Sequence, residues 1–165
     1  MIFVPSVFTA PRDEQKFNLE CSFENNFCDW KNPDESADLK WLRKNGIGIK
    51  YGDGPLNDVT LKTSQGYYAY VKALDNVKST IAYLQSIEFS YNNVSCLEFY
   101  YQLGGPINSQ LSLLVIDSAI NNKTIIWQRL GNRGDNWRHA YVSVPAYDNK
   151  LKKLEFQGRN LFFYF

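Results

Sequence analysis

The stretch that decides the fold is Cys21-Ser-Phe-Glu-Asn-Asn-Phe-Cys28-Asp-Trp30, which has two cysteines seven positions apart and a tryptophan just after the second. Over seven residues an extended chain spans about 23 Å, whereas the Cα atoms of a disulfide lie about 5.5 Å apart. If Cys21 and Cys28 are bonded, the chain therefore reverses direction here. A disulfide that closes so short a loop stabilises a fold by about 2–3 kcal/mol in the chain-entropy model, and Trp30 is placed to cover it.

The length and net charge of the chain limit the number of domains and the kinds of partner that it can have. It has 165 residues and a net charge of +1, a length typical of one domain that buries about two-thirds of its unfolded surface. A nucleic-acid or anionic-membrane surface needs a concentrated basic face, so the balanced charge argues against both partners. No apolar stretch is long enough for a transmembrane helix, and none is predicted.

Alternation of apolar and polar residues predicts β-strands from Lys16 onward, as does the abundance of Tyr and Phe, with eleven of each. The predicted strands are Asn18–Glu24, Asp38–Arg43 (with one helical turn as the alternative), Gly66–Ala73, Thr80–Ser86, Ser95–Leu103, Gln110–Asp117, Thr124–Leu130, Arg138–Val144 and Leu151–Gln157. Turn residues separate these strands closely and no long helix is predicted. We therefore expect an all-β, antiparallel, two-sheet sandwich.

The cysteines and sequons bear on the cellular compartment. The chain has three cysteines, an odd number. In a secreted protein this implies a free thiol, an intermolecular bridge or a missing partner. In the cytosol all three would be reduced. Sequons at Asn93 and Asn122 favour the secretory pathway and glycosylation. Residues 1–16 lack a basic start and contain Pro5, so we interpret them as a remnant signal or a linker rather than a complete signal peptide.

Motifs after the opening stretch resemble those of the MAM domain, the extracellular module of meprins, neuropilins and mu-type receptor tyrosine phosphatases. In family order they are Trp41, Gly54-Pro55, Asp58-x-Thr60, Gly66-Tyr67-Tyr68-Ala69-Tyr70-Val71, Leu84-Gln85-Ser86, Cys96-Leu-Glu-Phe-Tyr-Tyr101 with Gly104, Trp127 with Gly131, Gly134 and Trp137, and Phe156-Gln157-Gly158. The resemblance covers residues 17–158. It implies a jelly-roll-like sandwich and a non-catalytic role in adhesion.

The chain departs from the family pattern in three places. Val59 stands for the usual His, Ile87 stands for the usual Pro, and residues 159–165 form an atypical aromatic tail. The family instead continues through an acidic strand to a fourth cysteine, which the resemblance implies is the partner of Cys96. We therefore predict that Cys96 is unpaired, that the chain is truncated or mis-spliced, and that its sheet has an open edge unless Phe162–Phe165 fills it.

Candidate catalytic residues are scarce. His139 is the sole histidine, so a Ser-His-Asp or Cys-His nucleophile would have to use it, and strand alternation turns it toward solvent or a groove. Glu88 and Glu98 are the strand carboxylates available for a glycosidase pair, and nothing in the sequence brings them together. One His without Cys-x-x-Cys spacing also argues against zinc. We predict no enzymatic activity.

A structural cation is the one cofactor that the resemblance suggests. Some MAM domains resemble one another in binding a cation through oxygen ligands near the opening motif. On this basis Glu24, Asn26 and Asp58 are candidate ligands for a calcium or sodium ion, with Asp29 as a further oxygen donor. Hard cations prefer such carboxylate and amide oxygens.

The tripeptide Arg133-Gly134-Asp135 has two interpretations. Integrins bind Arg-Gly-Asp, with the Asp completing a receptor-held metal ion and the Arg entering an acidic pocket. Alternatively, Gly131 and Gly134 are the hairpin glycines of the family and their neighbours are incidental. The residues alone favour the second interpretation.

We expect an extracellular or cell-surface module of a membrane-associated or secreted protein, one that contacts a protein partner, a second copy of itself included. The alternative is a carbohydrate-binding sandwich whose exposed tyrosines stack on sugars. Tyr67, Tyr68, Tyr70 and Tyr100 are its candidates, because alternation sends neighbours to opposite faces and not all of them can be buried. A coplanar exposed row of these rings would favour that alternative.

Overall fold

The structure is a computed structural model that describes residues 2–3, 19–50, 54–72, 81–90, 95–105, 107–146 and 150–159. Within these residues the chain forms β-strands and no helix. The strands are β1 (Ile2–Phe3), β2 (Trp30–Lys31), β3 (Leu42–Asn45), β4 (Tyr67–Tyr70), β5 (Ile81–Ser86), β6 (Ser95–Tyr101), β7 (Gln110–Asp117), β8 (Asn122–Leu130), β9 (Arg138–Val144) and β10 (Lys152–Arg159).

The strands form two five-stranded sheets, the first in the order β3-β4-β1-β6-β9 and the second in the order β2-β5-β10-β7-β8. Every pairing between neighbouring strands within these sheets is antiparallel. The fold is thus the antiparallel, jelly-roll-like sandwich that the alternation and the resemblance predicted. The bounds of β7 and β9 are those predicted from the sequence.

The first sheet includes residues from the very start of the chain. In β1, Ile2 is paired with Ala69 of β4 on one side and with Tyr101 of β6 on the other. Within the described residues, β1 is the strand that joins β4 to β6. The assignment of residues 1–16 to a signal or linker remains a prediction. The structure shows in addition that residues 2–3 pair with the first sheet.

Aromatic side chains fill the space between the two sheets. Phe99 of β6 lies at the centre, and its ring centroid is 4.9 Å from that of Trp127 and 5.0 Å from that of Phe156, both edge to face. The Trp30 ring also packs against Phe156, with their centroids 5.4 Å apart. Offset and edge-to-face pairs are the favoured arrangements of aromatic rings, so this cluster fixes the spacing of the sheets.

Two strand predictions in the N-terminal third were wrong. Residues 19–24 form an irregular segment with a single bridge at Cys21, because Phe23 takes a left-handed backbone conformation at φ 62°, which ends an extended run. The strand predicted at Asp38–Arg43 begins only at Leu42. Trp41 does not pair with a neighbouring strand there, because the Asn32 side chain accepts from its N–H at 2.8 Å and donates to its carbonyl at 3.1 Å.

Candidate functional site

The cysteine loop closes on itself at the entry to the sandwich. Cys21 and Cys28 form the predicted disulfide, with their Cα atoms 5.8 Å apart, and Cys28 takes a left-handed conformation at φ 53° that helps the chain reverse. Phe23, which lies within the loop, is fully buried. The indole N–H of Trp30 donates to the Leu19 carbonyl at 3.0 Å, which ties the two ends of the loop together.

Glu24 links the cysteine loop to the first sheet. Its Oε2 atom accepts from the Tyr67 backbone N–H at 3.1 Å. Arg43 reaches the same loop from β3 and donates to the Phe23 carbonyl at 2.7 Å and the Glu24 carbonyl at 2.5 Å. Its guanidinium lies 4.5 Å from the centre of the Tyr67 ring, a favourable cation–π contact. The loop is therefore held to two strands of the sheet.

Asp58 organises the turn that leads into β4. Its side chain is buried, and its two oxygens accept from the backbone N–H groups of Leu61 at 2.6 Å and Thr63 at 3.1 Å. The carboxylate lies against Gly66, where an added Cβ would come within 2.2 Å of its carbon. The Asp and the Gly of these motifs thus have a shared structural explanation, since only glycine allows so close an approach.

Of the three candidate cation ligands, Glu24 fits best. Its Oε1 atom is buried and has no hydrogen-bond partner within the described residues. Asn26 instead caps a turn on the exposed surface, where its Oδ1 accepts from the Cys28 N–H at 2.7 Å, and Asp58 uses both oxygens on backbone amides. Across the described part of the chain, no three His, Cys, Asp or Glu residues cluster closely enough for a metal ion. Calcium or sodium binding stays a prediction.

Segments 46–50 and 54–66 cover the outer face of the first sheet over β3 and β4. Beneath them Tyr68 and Tyr70 are buried in a small apolar cluster with Ile49 and Trp137. The Tyr68 hydroxyl lies within hydrogen-bond distance of the carbonyls of Asn45 at 3.2 Å and Pro55 at 3.1 Å. Burial, and next the neighbouring Tyr70, raise the pKa of Tyr68, so the phenol stays protonated and able to donate. We call this region the covered half.

The outer face over β6 and β9 is not covered by these segments. Its cross-strand pairs are Cys96 with Ser143, Glu98 with Tyr141 and Tyr100 with His139. We call the set Cys96, Glu98, Tyr100, His139 and Tyr141 the tyrosine–histidine face. Tyr141 is 67% exposed, so its ring is the aromatic group of this face that is most accessible to a partner.

The rings of the tyrosine–histidine face are held by one another. Tyr100 and His139 are stacked 4.2 Å apart and within 7° of parallel, and Tyr141 meets His139 edge to face at 4.2 Å. Glu98 Oε1 lies 2.6 Å from His139 Nε2. Partial desolvation, and then the charge of Glu98, raise the pKa of Tyr141. Its phenol therefore remains a hydrogen-bond donor at neutral pH.

The row of exposed tyrosines that the carbohydrate-binding alternative requires is absent from the described residues. Alternation correctly sends Tyr67 and Tyr68 to opposite faces, but Tyr68 and Tyr70 are buried by the covering segments, and Tyr67 is half-buried under Arg43. Tyr100 is half-buried and has one ring face occupied by a histidine. The carbohydrate-binding alternative thus lacks the coplanar platform on which it depends.

The carboxylates considered for a glycosidase pair contact different basic side chains. Glu98 is paired with His139 on the first sheet, whereas Glu88 lies beside the second sheet with Oε1 3.5 Å from Lys153 Nζ. His139 is exposed, as its place in the alternation predicted. The structure therefore shows no pairing of Glu88 with Glu98 of the kind that a glycosidase uses.

Sequence reasoning missed Glu155, which is fully buried in the outer face of the second sheet. Its carboxylate accepts from Gln85 Nε2 at 2.5 Å, Gln157 Nε2 at 2.6 Å and Lys123 Nζ at 2.8 Å. These donors lie on β5, β10 and β8, so one acidic group cross-links the sheet, and its charge is compensated. Only the strand register, which sets Glu155 opposite Gln85, could have revealed this cluster.

The remaining predicted sites lie at the surface or outside the described residues. Cys96 is an exposed free thiol. Asn122 is exposed at the start of β8, beside a cavity of about 250 Å³ whose lining includes Asp117 and Lys152. Hydrogen bonding from the Lys152 ammonium lowers the pKa of Asp117. Asn93 and the tail beyond Arg159 lie outside the described residues.

The tripeptide predicted as an integrin motif lies in the loop between β8 and β9. Arg133 and Gly134 are exposed, and Asp135 is half-buried. No helix in the described part of the chain is long and apolar enough to cross a membrane.

Comparison with known proteins gives a consistent picture. A family model described as MAM domain, meprin/A5/mu, matches residues 21–161. The chain is 30% identical over 146 residues to neuropilin-1 of Xenopus laevis, an alignment that covers 84% of this chain and 15% of that protein. It is 28% identical over 153 residues to MAM domain-containing glycosylphosphatidylinositol anchor protein 1 of Gallus gallus, covering 85% of this chain and 15% of the relative. The chain thus spans less than a fifth of the length of these relatives.

Two further matches are one relative and one solved structure. Thyroid hormone-induced protein B of Xenopus laevis is 30% identical over 129 residues, which is 77% of this chain and 18% of that protein. Among solved structures, the CBM22-1–GH10 modules of Clostridium thermocellum xylanase 10B complexed with xylohexaose superpose with a TM-score of 0.49 at 14% identity, over 84% of this chain and 26% of that one.

Proposed function

We propose that this chain, which belongs to the MAM domain family, is a non-catalytic adhesion module that binds a protein partner through its tyrosine–histidine face. MAM domain relatives are extracellular, secreted or cell-surface proteins, and this chain has the same location. The Cys21–Cys28 disulfide agrees with an oxidising compartment. The proposal adds a surface and a partner to that coarser description.

The observation that carries the proposal is the contrast between the two halves of one sheet face. The chain covers Tyr68 and Tyr70 with its own segments, but leaves Tyr141 67% exposed. Stacking and the hydrogen bond between Glu98 and His139 already fix the neighbouring rings. Binding through such a surface loses little side-chain entropy, and aromatic groups are enriched in protein interfaces.

We infer that the partner is a second copy of this chain. A two-fold contact brings the same patch of both copies together, so the patch has to be self-complementary. Within one copy the Tyr141 phenol is hydrogen-bonded to Glu98, and Glu98 also contacts His139, so the polar groups of the tyrosine–histidine face are satisfied before the contact forms. Its aromatic rings supply apolar contact area, and a net charge of +1 gives little repulsion between copies.

Sedimentation equilibrium of the 165-residue chain tests this proposal, in a Cys96→Ser background that removes disulfide-linked dimers. We expect a concentration-dependent dimer whose dissociation constant rises at least tenfold in Tyr141→Asp, because the substitution buries an unpaired charge in the contact. Ile120→Asp is the matched control, since Ile120 is 73% exposed in the turn between β7 and β8. A monomer at every concentration, or a dimer that Tyr141→Asp leaves unchanged, would contradict the proposal.

A further inference from the structure

We propose that the loop of Arg133, Gly134 and Asp135 is a second binding site, for a receptor of the integrin type. Such a receptor holds a divalent cation with an open coordination position next to an acidic pocket. The Asp135 carboxylate would complete the cation, and the Arg133 guanidinium would pair with the acidic groups. This site is separate from the tyrosine–histidine face and does not depend on self-association.

The loop presents its central residue to open space. Gly134 has φ 80°, in the left-handed region that favours glycine, and an added Cβ would meet no atom within 4 Å. The glycine is therefore required by its backbone conformation and not by close packing. The space around it is available to a receptor surface.

Hydrogen bonds hold the loop in place on the sandwich. The Arg133 N–H donates to the Leu103 carbonyl at 2.8 Å. The Arg133 carbonyl accepts from the Arg138 guanidinium at 2.6 Å and 3.1 Å, and the Gly134 N–H donates to Asn132 Oδ1 at 2.7 Å. A loop that is ordered before it binds loses less entropy on binding.

The side chains of Arg133 and Asp135 are not used by the fold. Arg138, five residues along the chain, directs its guanidinium into the loop. By contrast, the Arg133 guanidinium and the Asp135 carboxylate make no hydrogen bond or ion pair within the described residues. The hairpin interpretation accounts for Gly134 and its positive φ, but it gives these two charged groups no role. The receptor interpretation explains why these two charged residues stand on either side of one exposed glycine.

The test is binding of the immobilised 165-residue chain to the purified ectodomain of an Arg-Gly-Asp-binding integrin, with Mn²⁺ and then with EDTA. We expect binding that requires Mn²⁺ and that a linear Arg-Gly-Asp peptide competes away. Asp135→Glu should weaken it at least tenfold, because the added methylene moves the carboxylate while keeping its charge. Asp38→Glu is the matched control, as Asp38 is exposed in a loop near the N-terminus.

The outcomes of this binding experiment distinguish a receptor site from an incidental tripeptide. Absence of Mn²⁺-dependent binding by the parent chain, or binding that Asp135→Glu leaves unchanged, would show that the tripeptide is incidental. Both substitutions lie in surface loops, so the thermal midpoints of the two variants should match that of the parent and exclude unfolding as the cause. Tyr141→Asp should retain receptor binding, which separates failure of this site from failure of the self-association proposal.

Discussion

The two halves of the outer face of the first sheet place the same residue type in opposite environments. Tyr68 and Tyr70 on β4 are 1% and 8% exposed, whereas Tyr141 on β9 is 67% exposed. All three lie on the same face of one sheet. The difference comes from the covering segments 46–50 and 54–66. Strand alternation thus assigns a residue to a face but does not decide whether that face meets water.

Close backbone contacts hold the covering segments in place. The Gly46 N–H donates to the Ser64 carbonyl at 2.9 Å, and a Cβ on Gly46 would lie 1.9 Å from the Leu56 carbonyl oxygen. The Trp137 indole N–H adds a bond to the Asn57 carbonyl at 2.8 Å. The covered half is therefore a second small core on the outside of the sandwich, and each of its contacts can be removed separately.

The largest expected effect comes from emptying the covered half. Tyr68→Ala should lower the free energy of unfolding by about 3–5 kcal/mol, as for other large buried aromatic side chains, measured by urea denaturation. Tyr68→Phe, which removes only the hydroxyl, should cost about 1 kcal/mol. If the two variants were equally stable, the ring would not be packed as described, and the contrast between the halves would fail.

A smaller effect is expected from displacing the covering segments. Gly46→Ala should destabilise the domain by up to about 3 kcal/mol, because the added methyl overlaps a backbone carbonyl that cannot rotate away. Amide hydrogen exchange in residues 54–66 should rise at the same time. Gly48→Ala is the control: it has φ 76° with no atom near an added Cβ, so only backbone strain of about 1 kcal/mol applies. Equal exchange in both variants would show that Gly46 does not hold the segments.

Loss of the single hydrogen bond between Trp137 and Asn57 should have a smaller effect again. Trp137→Phe keeps an aromatic ring against Tyr68 but removes the donor to Asn57, and should cost about 1 kcal/mol. The thermal midpoint and the exchange rates of amides near Asn57 measure it. A change confined to β6 and β9, with none near Asn57, would contradict the assignment of Trp137 to the covered half.

The smallest stability effect is expected in the uncovered half. Tyr141→Ser should change the free energy of unfolding by no more than about 0.5 kcal/mol, because exposed side chains contribute little to stability. Urea denaturation in the Cys96→Ser background measures it at a concentration where the chain is monomeric. A loss as large as that of Tyr68→Phe would mean that Tyr141 serves the fold and not a partner.

The sequence predicted the strands better than the surfaces. Period-two alternation located β7 and β9 to the residue, because a strand pattern is local. The covering of Tyr68 and the burial of Glu155 depend on contacts between residues far apart in sequence, and no local pattern reports them. The wrong prediction of a strand at Asn18–Glu24 has a third cause, since the left-handed Phe23 belongs to a residue type that rarely takes that conformation.

The position of β1 has a consequence for the order in which the domain folds. Ile2 pairs with Ala69 and Tyr101, so β1 cannot take its place between β4 and β6 until both of those strands have been synthesised. The Cys21–Cys28 loop needs no such delay, because its partners are close in sequence. Pairings between distant residues form slowly, and until β1 arrives the edges of β4 and β6 that it joins are open to other chains. Pairing of β1 with its neighbours is therefore expected to be a late step of folding.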